Sequence, residues 1–324
     1  MPDRDRTEQL DRAIESALIG EALAIGADPE LKSLAGIVKS LCDLPGEKFR
    51  AALKQELLRR AAMTISTATI PPATGVKFRT VTPFIIHAQA PEMIDFIQKT
   101  FRAEELDRKT GEAIGFYSEV RIGDSLIVIG GGTAARWGNL PSALHVYVDD
   151  CDAVYQRALD AGAVTLMGDL GKPADRPYGE RSAFVQDAFG NYWYIATRLA
   201  ASAERESGAV LPYLHPENAR KQIDFLKRAF GAEEMTVAEA GGRIMHAALR
   251  IGDTVVELGE PEDRAGIPTN GMFLFVEDVD GVYARALEAG ATSYRPPEDQ
   301  PYGMRSAIVR DPGGYLWWPA RWIR

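Results

Sequence analysis

The sequence predicts an α+β fold in which βαβββ modules recur in tandem after an all-α N-terminal segment, and three observations predict it. A run of alternating apolar residues turns at Arg250-Ile251-Gly252-Asp253, and the same run turns at Arg121-Ile122-Gly123-Asp124. Gly-Asp accepts the positive φ of a two-residue hairpin turn, so Ile251 is expected to pair with Thr254 and, further out, Ala248 with Glu257. The surroundings of these turns also recur in order: Ile94-Asp95-Phe96 returns as Ile223-Asp224-Phe225, Val148-Asp149-Asp150 as Val276-Glu277-Asp278, and Arg176-Pro177-Tyr178-Gly179 as Gln300-Pro301-Tyr302-Gly303. Finally, apolar spacing is helical before residue 64 and alternates between strand and helix after residue 77.

Residues 1–63 carry apolar stripes at helical spacing: Leu10, Ile14, Ala17 and Leu18, then Leu31, Leu34, Ile37, Val38 and Leu41, then Phe49, Leu53 and Leu57. Asp28-Pro29 starts the second helix with a cap and a proline in its first turn, and Pro45-Gly46 ends it. Three short amphipathic helices bury little surface by themselves, so this segment is expected to dock on another domain, on a second copy in a homodimer, or on a protein partner. Residues 64–76, with Pro71-Pro72, read as a linker.

From residue 77 the pattern is a strand at 80–87, a helix at 91–101, a strand at 105–108 and a hairpin over 116–129. It restarts as a strand at 143–148, a helix at 151–161, a short strand at 164–167 and a hairpin at 183–186 and 192–197. Both modules return over 210–259 and 271–323, after a polar link at 200–207. The expected domains are therefore 77–199 and 210–324.

A chain of 324 residues with 46% hydrophobic content can bury sizeable cores. A net charge of −9 argues against nucleic acid or an anionic membrane as the partner and leaves a small molecule or a protein. Cys42 and Cys151 form neither a disulfide framework nor a CxxC metal site. No leader-like start and no run of about 18 apolar residues occurs, so a cytoplasmic protein is expected. Gly130-Gly131-Gly132 lacks the Lys-Ser/Thr and helix of a phosphate loop, and no cofactor is assigned.

The paired modules, the Gly-Asp turns, the openings Thr82-Pro83-Phe84 and Leu211-Pro212-Tyr213, Arg243-Ile244-Met245-His246 and Asp311-Pro312-Gly313-Gly314-Tyr315-Leu316-Trp317 resemble the vicinal oxygen chelate superfamily. That group holds glyoxalase I, the bleomycin and fosfomycin resistance proteins and the extradiol dioxygenases, and the phrasing is similar to its PhnB-like members. The resemblance implies two glyoxalase-like domains over 79–324, with metal ligands, where present, on the first and last strands of each module. Those positions fall at Thr82, Val128, Ala143 and Tyr194 in one domain and at Leu211, Glu257, Gly271 and Trp318 in the other. Only Glu257 is an ordinary ligand, too few to hold an ion.

Side-chain alternation places His246 on the face of Glu257, where the two form an acid/base pair. His215 reaches the same face in the family's orientation, and a displaced metal site at His215, His246 and Glu257 is the alternative, confined to the second domain. Tyr117, Glu119, His145, Tyr194, His215 and Trp318 are the expected ligand-binding residues, while His87 is expected at the surface. The leading functional expectation is a glyoxalase/bleomycin-resistance-like protein binding a small organic molecule without the usual metal. The alternatives are a metal-dependent lyase, isomerase or dioxygenase, and a regulatory or scaffold protein acting through the N-terminal helices.

Overall fold

The computed structural model describes residues 77–111, 115–131, 138–199, 208–262 and 266–323. The helices expected over 1–63 and the linker at 64–76 lie outside the described residues.

Four modules follow one another. The first is β1 (Val81–Ile86), α1 (Ala90–Phe101), β2 (Glu104–Gly111), β3 (Gly115–Ile122) and β4 (Ser125–Gly131). The second is β5 (Ala143–Tyr147), α2 (Cys151–Asp160), β6 (Val164–Thr165), β7 (Ala174–Arg176), β8 (Glu180–Gln186) and β9 (Tyr192–Arg198). The third is β10 (Val210–Leu214), α3 (Ala219–Phe230), β11 (Glu233–Ala240), β12 (Arg243–Ile251) and β13 (Thr254–Leu258). The fourth is β14 (Gly271–Phe275), α4 (Val279–Glu288), β15 (Thr292–Gln300), β16 (Met304–Arg310) and β17 (Leu316–Trp322).

Local chemistry sets the boundaries. Asp150, Asn218 and Asp278 cap α2, α3 and α4 by accepting from Ala153 N, Lys221 N and Gly281 N, and Gly231 closes α3 in the left-handed region. The hairpins turn where the Gly-Asp pairs stand: Ile122 faces Ser125, Ile251 faces Thr254, and Ala248 faces Glu257.

The modules pair in an order that the chain does not announce. The first sheet runs β15-β16-β17-β14-β1-β4-β3-β2 and joins the first module to the fourth; the second runs β11-β12-β13-β10-β5-β9-β8-β6 and joins the second to the third. Antiparallel seams between β1 and β14 and between β10 and β5 make those joins. The helices pack differently. One core holds Met93, Ile97, Val154 and Trp193 from the first two modules, and another holds Leu226, Leu249, Ala286 and Trp317 from the last two. A division between 199 and 210 thus separates the helix-side cores but is crossed by both sheets. Ligand positions grouped by chain half, as the sequence suggested, must be regrouped by sheet.

The hairpin tips lock the halves together. Asp253 Oδ1 accepts from Thr80 N at 2.7 Å, ahead of β1, while Asp124 Oδ1 accepts from Ala209 N at 2.7 Å, ahead of β10. Each tip caps the first strand of the other half, which accounts for the repeat of Gly-Asp.

Candidate functional site

Among the described residues, each sheet has one face against helices and one face on which no helix packs. On the second sheet the helix-free face is polar. Tyr213 of β10 lies opposite Glu257 of β13, Leu211 of β10 opposite His145 of β5, and His145 beside Tyr194 of β9. By this register Tyr213, two positions beyond the expected Leu211, is level with Glu257, and His145, two positions beyond the expected Ala143, is level with Leu211 on the same face.

Glu257 is 5% exposed and His145 8% exposed. They are bound to each other: His145 Nδ1 stands 2.7 Å from Glu257 Oε2. On the other side of the ring, His145 Nε2 is 3.6 Å from Glu180 Oε2. Tyr147 stacks on His145 with ring centroids 4.4 Å apart, donates to Glu180 Oε1 at 2.8 Å, and carries the Arg198 guanidinium over its ring at 3.8 Å from the centroid.

Burial alone would lower the His145 pKa. The charge and hydrogen bond of Glu257, aided by the charge of Glu180, outweigh burial and hold it above the ordinary imidazole value. Burial would likewise raise Glu257, but the charge and hydrogen bond of His145, with those of His246, hold it below the carboxylate range. The two form a buried pair in which each group favours the charged form of the other. Burial, with the negative charge of Glu257, pushes the Tyr147 and Tyr213 phenols well up, and burial with the neighbouring Tyr213 does the same to Tyr194. All three act as neutral hydroxyls.

The expected partners of Glu257 are rearranged. His246 Nε2 is 3.8 Å from Glu257 Oε1, and its side chain is 41% exposed. It belongs to the site as an outer member, whereas the carboxylate's close partner is His145 from the other half. His215 Nε2 is 2.8 Å from the Tyr194 hydroxyl. His215 bonds to Tyr194, the position nearest Glu257 is held by His145, and among the described residues His215, His246 and Glu257 are not grouped to hold a metal ion. His87, expected at the surface, is 7% exposed and its Nδ1 accepts from Gln89 N at 3.0 Å.

Tyr117, Glu119 and Trp318 are placed by the topology on the first sheet, away from these residues. Sequence reasoning passed over Glu180, Tyr147, Tyr213 and Arg198. A signal for all four lies in the repeat: Glu180 stands where the other half has Met304, Tyr147 where it has Phe275, Tyr213 where it has Phe84, and Arg198 where it has Trp322. Polar residues replacing apolar ones between copies mark the face that carries chemistry.

This donor set does not fit a resident divalent ion. Of the four side chains at the centre, Tyr194 and Tyr213 are neutral phenols, and His145 and Glu257 are engaged with each other. Among the described residues no three His, Cys, Asp or Glu side chains are grouped to hold a metal ion.

Modules of βαβββ whose sheets close across chain halves, with functional side chains on the helix-free face, define a protein of the glyoxalase fold class. Residues 215–318 match the model of the Glyoxalase/Bleomycin resistance protein/Dioxygenase superfamily. The chain belongs to that superfamily. An uncharacterized protein of Mycobacterium bovis is 38% identical to it over 122 residues, 34% of this chain and 80% of that relative. CFP32 of Mycobacterium tuberculosis, named as a glyoxylase, is 25% identical over 182 residues, 53% of this chain and 66% of that protein. Glyoxalase I from Zea mays shares the fold, with a TM-score of 0.57 at 14% identity over 74% of this chain and 92% of that one.

Proposed function

We propose that this is a PhnB-like member with two glyoxalase-like domains in tandem, over 77–199 and 210–324, which binds a small organic molecule on the second sheet without a resident metal. The observation that carries the reading is the buried pair of His145 and Glu257 in a ring of neutral tyrosines. A paired charge desolvated beside aromatic surfaces offers a ligand directed polar contacts at one end and ring faces at the other. Tyr194 and Tyr213 would supply the ring faces, and Glu180 and His246 the polar rim. Cytoplasmic residence belongs to this reading, as does docking of the N-terminal helices on a second copy or a protein partner. No helix among the described residues is long and apolar enough to cross a membrane.

The test is a thermal-shift screen of small organic molecules on chelator-treated, untagged protein, followed by calorimetry of each hit. Hits are expected to bind equally before and after chelation and to lose at least about tenfold in affinity in His145→Ala. Binding that appears only with an added divalent ion would overturn the metal-independent reading.

A further inference from the structure

Among the described residues the two sheets end in four outer strands, β15 and β2 on the first and β11 and β6 on the second. An outer strand presents unpaired backbone N–H and C=O groups, which invite another strand unless charge, proline or shortness blunts them. Three of the four are blunted in this way. β2 carries Asp107, Arg108 and Lys109 at its centre, β15 carries Pro296 and Pro297, and β6 is two residues long. β11 has no Lys, Arg or Pro, and all eight of its residues are exposed.

The repeat sharpens the contrast. Asp107, Arg108 and Lys109 of β2 stand where β11 has Thr236, Val237 and Ala238, so the charges that guard one copy are missing from the other. Met235 and Val237 are exposed, as is Met245 of the neighbouring β12. The register with β12 shifts at Met235, but from 236 to 240 β11 itself contains no extra residue. The carboxylates on and beside this stretch are paired within the chain, Glu234 with Lys227 at 2.9 Å and Glu239 with Arg220. Ala238, at its middle, brings neither bulk nor charge.

We infer that β11 is a seam between two copies of this chain, paired antiparallel about a two-fold axis at Ala238. Thr236 then lies across from the partner's Ala240 and Val237 from the partner's Glu239, so no two like charges are directly opposed. A second copy is the occupant because the stretch is complementary to itself: its charges are already neutralised and its centre is small. Since the other three outer strands are blunted, pairing closes at two chains and does not run on into a filament. The seam shares no residue with the ligand site proposed above and stands without it.

The test is sedimentation velocity of the full chain, with hydrogen exchange at both ends of a concentration series. One added strand makes a small interface, so a dimer with a Kd on the order of 10 μM is expected, and the series should span about tenfold to either side of it. Amides within 236–240 should exchange more slowly at the high end. Ala238→Lys installs the residue that β2 carries at this place, sets two like charges across the axis, and should weaken the dimer at least about tenfold. The wild-type series needs no variant, so poor folding of Ala238→Lys does not remove the test. A monomer throughout the series, assemblies larger than a dimer, a dimer without added protection over 236–240, or one that Ala238→Lys leaves unchanged would each overturn the seam.

Discussion

At the scale of single residues, the pair of His145 and Glu257 should dominate the pH dependence of stability. An imidazole held above its ordinary value of 6.5 contributes fully below that value and loses its contribution as pH rises through the raised folded value. A carboxylate held below its ordinary 4.5 contributes fully above that value and loses it as pH falls through the depressed one. The stability difference between wild type and Glu257→Gln is therefore expected to peak between the two ordinary values and shrink on both sides, as read from unfolding midpoints across pH. A flat difference would contradict the charged pair. His145→Ala leaves a buried carboxylate without its partner and should cost about 3–5 kcal/mol. His246→Ala, at an exposed ring 3.8 Å from the same carboxylate, should cost less than about 1 kcal/mol by denaturant titration. This ranking reverses the one that hairpin register alone suggests. Register reports neighbours along one hairpin, so His246 and Glu257 were legible on one face. The contact from β5 depends on a seam between modules that no local pattern encodes.

At the scale of elements, the Gly-Asp hairpin tips show how much a turn can carry. Gly252 has φ +58°, and a Cβ there would overlap the Thr80 side chain; Gly231, at the end of α3, has φ +69° and open space where its Cβ would be. Gly231→Ala should cost about 1 kcal/mol for the left-handed backbone alone, and Gly252→Ala about 1–3 kcal/mol more for the collision. Chemical denaturation of the two variants checks the order, and equal losses would mean that the contact with Thr80 relaxes freely. The turn positions, the Ile251–Thr254 register and the helix spans of the first two modules were readable, because glycine, capping residues and apolar periodicity act within a few residues of chain. The tips' partners at Thr80 and Ala209 were not, since those contacts join distant segments through a side-chain oxygen and a backbone N–H.

At the scale of the whole molecule, both sheets cross the division between halves, so the link at 200–207 should be dispensable once folding is complete. A protease site inserted there and cleaved in the native protein is expected to leave 77–199 and 210–324 bound through the β1–β14 and β10–β5 seams. Co-elution in gel filtration checks this, and separation without denaturant would contradict the crossed topology. The repeat made the module count plain from the sequence. Which module joins which was not plain, because first strands such as Val81–Ile86 and Val210–Leu214 are similarly apolar and any of them could seam with any other.

The crossed pairing also bears on how such a chain can change over time. Two identical halves assembled about a two-fold axis would have to build two identical faces, so any substitution that improved one would be imposed on the other. Joining the halves in one polypeptide lifts that constraint. Here the inner modules build one face, with His145 and Glu257, and the outer modules build the other, with Phe273 and Val128 in their places. Specialisation is therefore divided between inside and outside of the chain rather than between its beginning and its end, and each face inherits its residues from both copies.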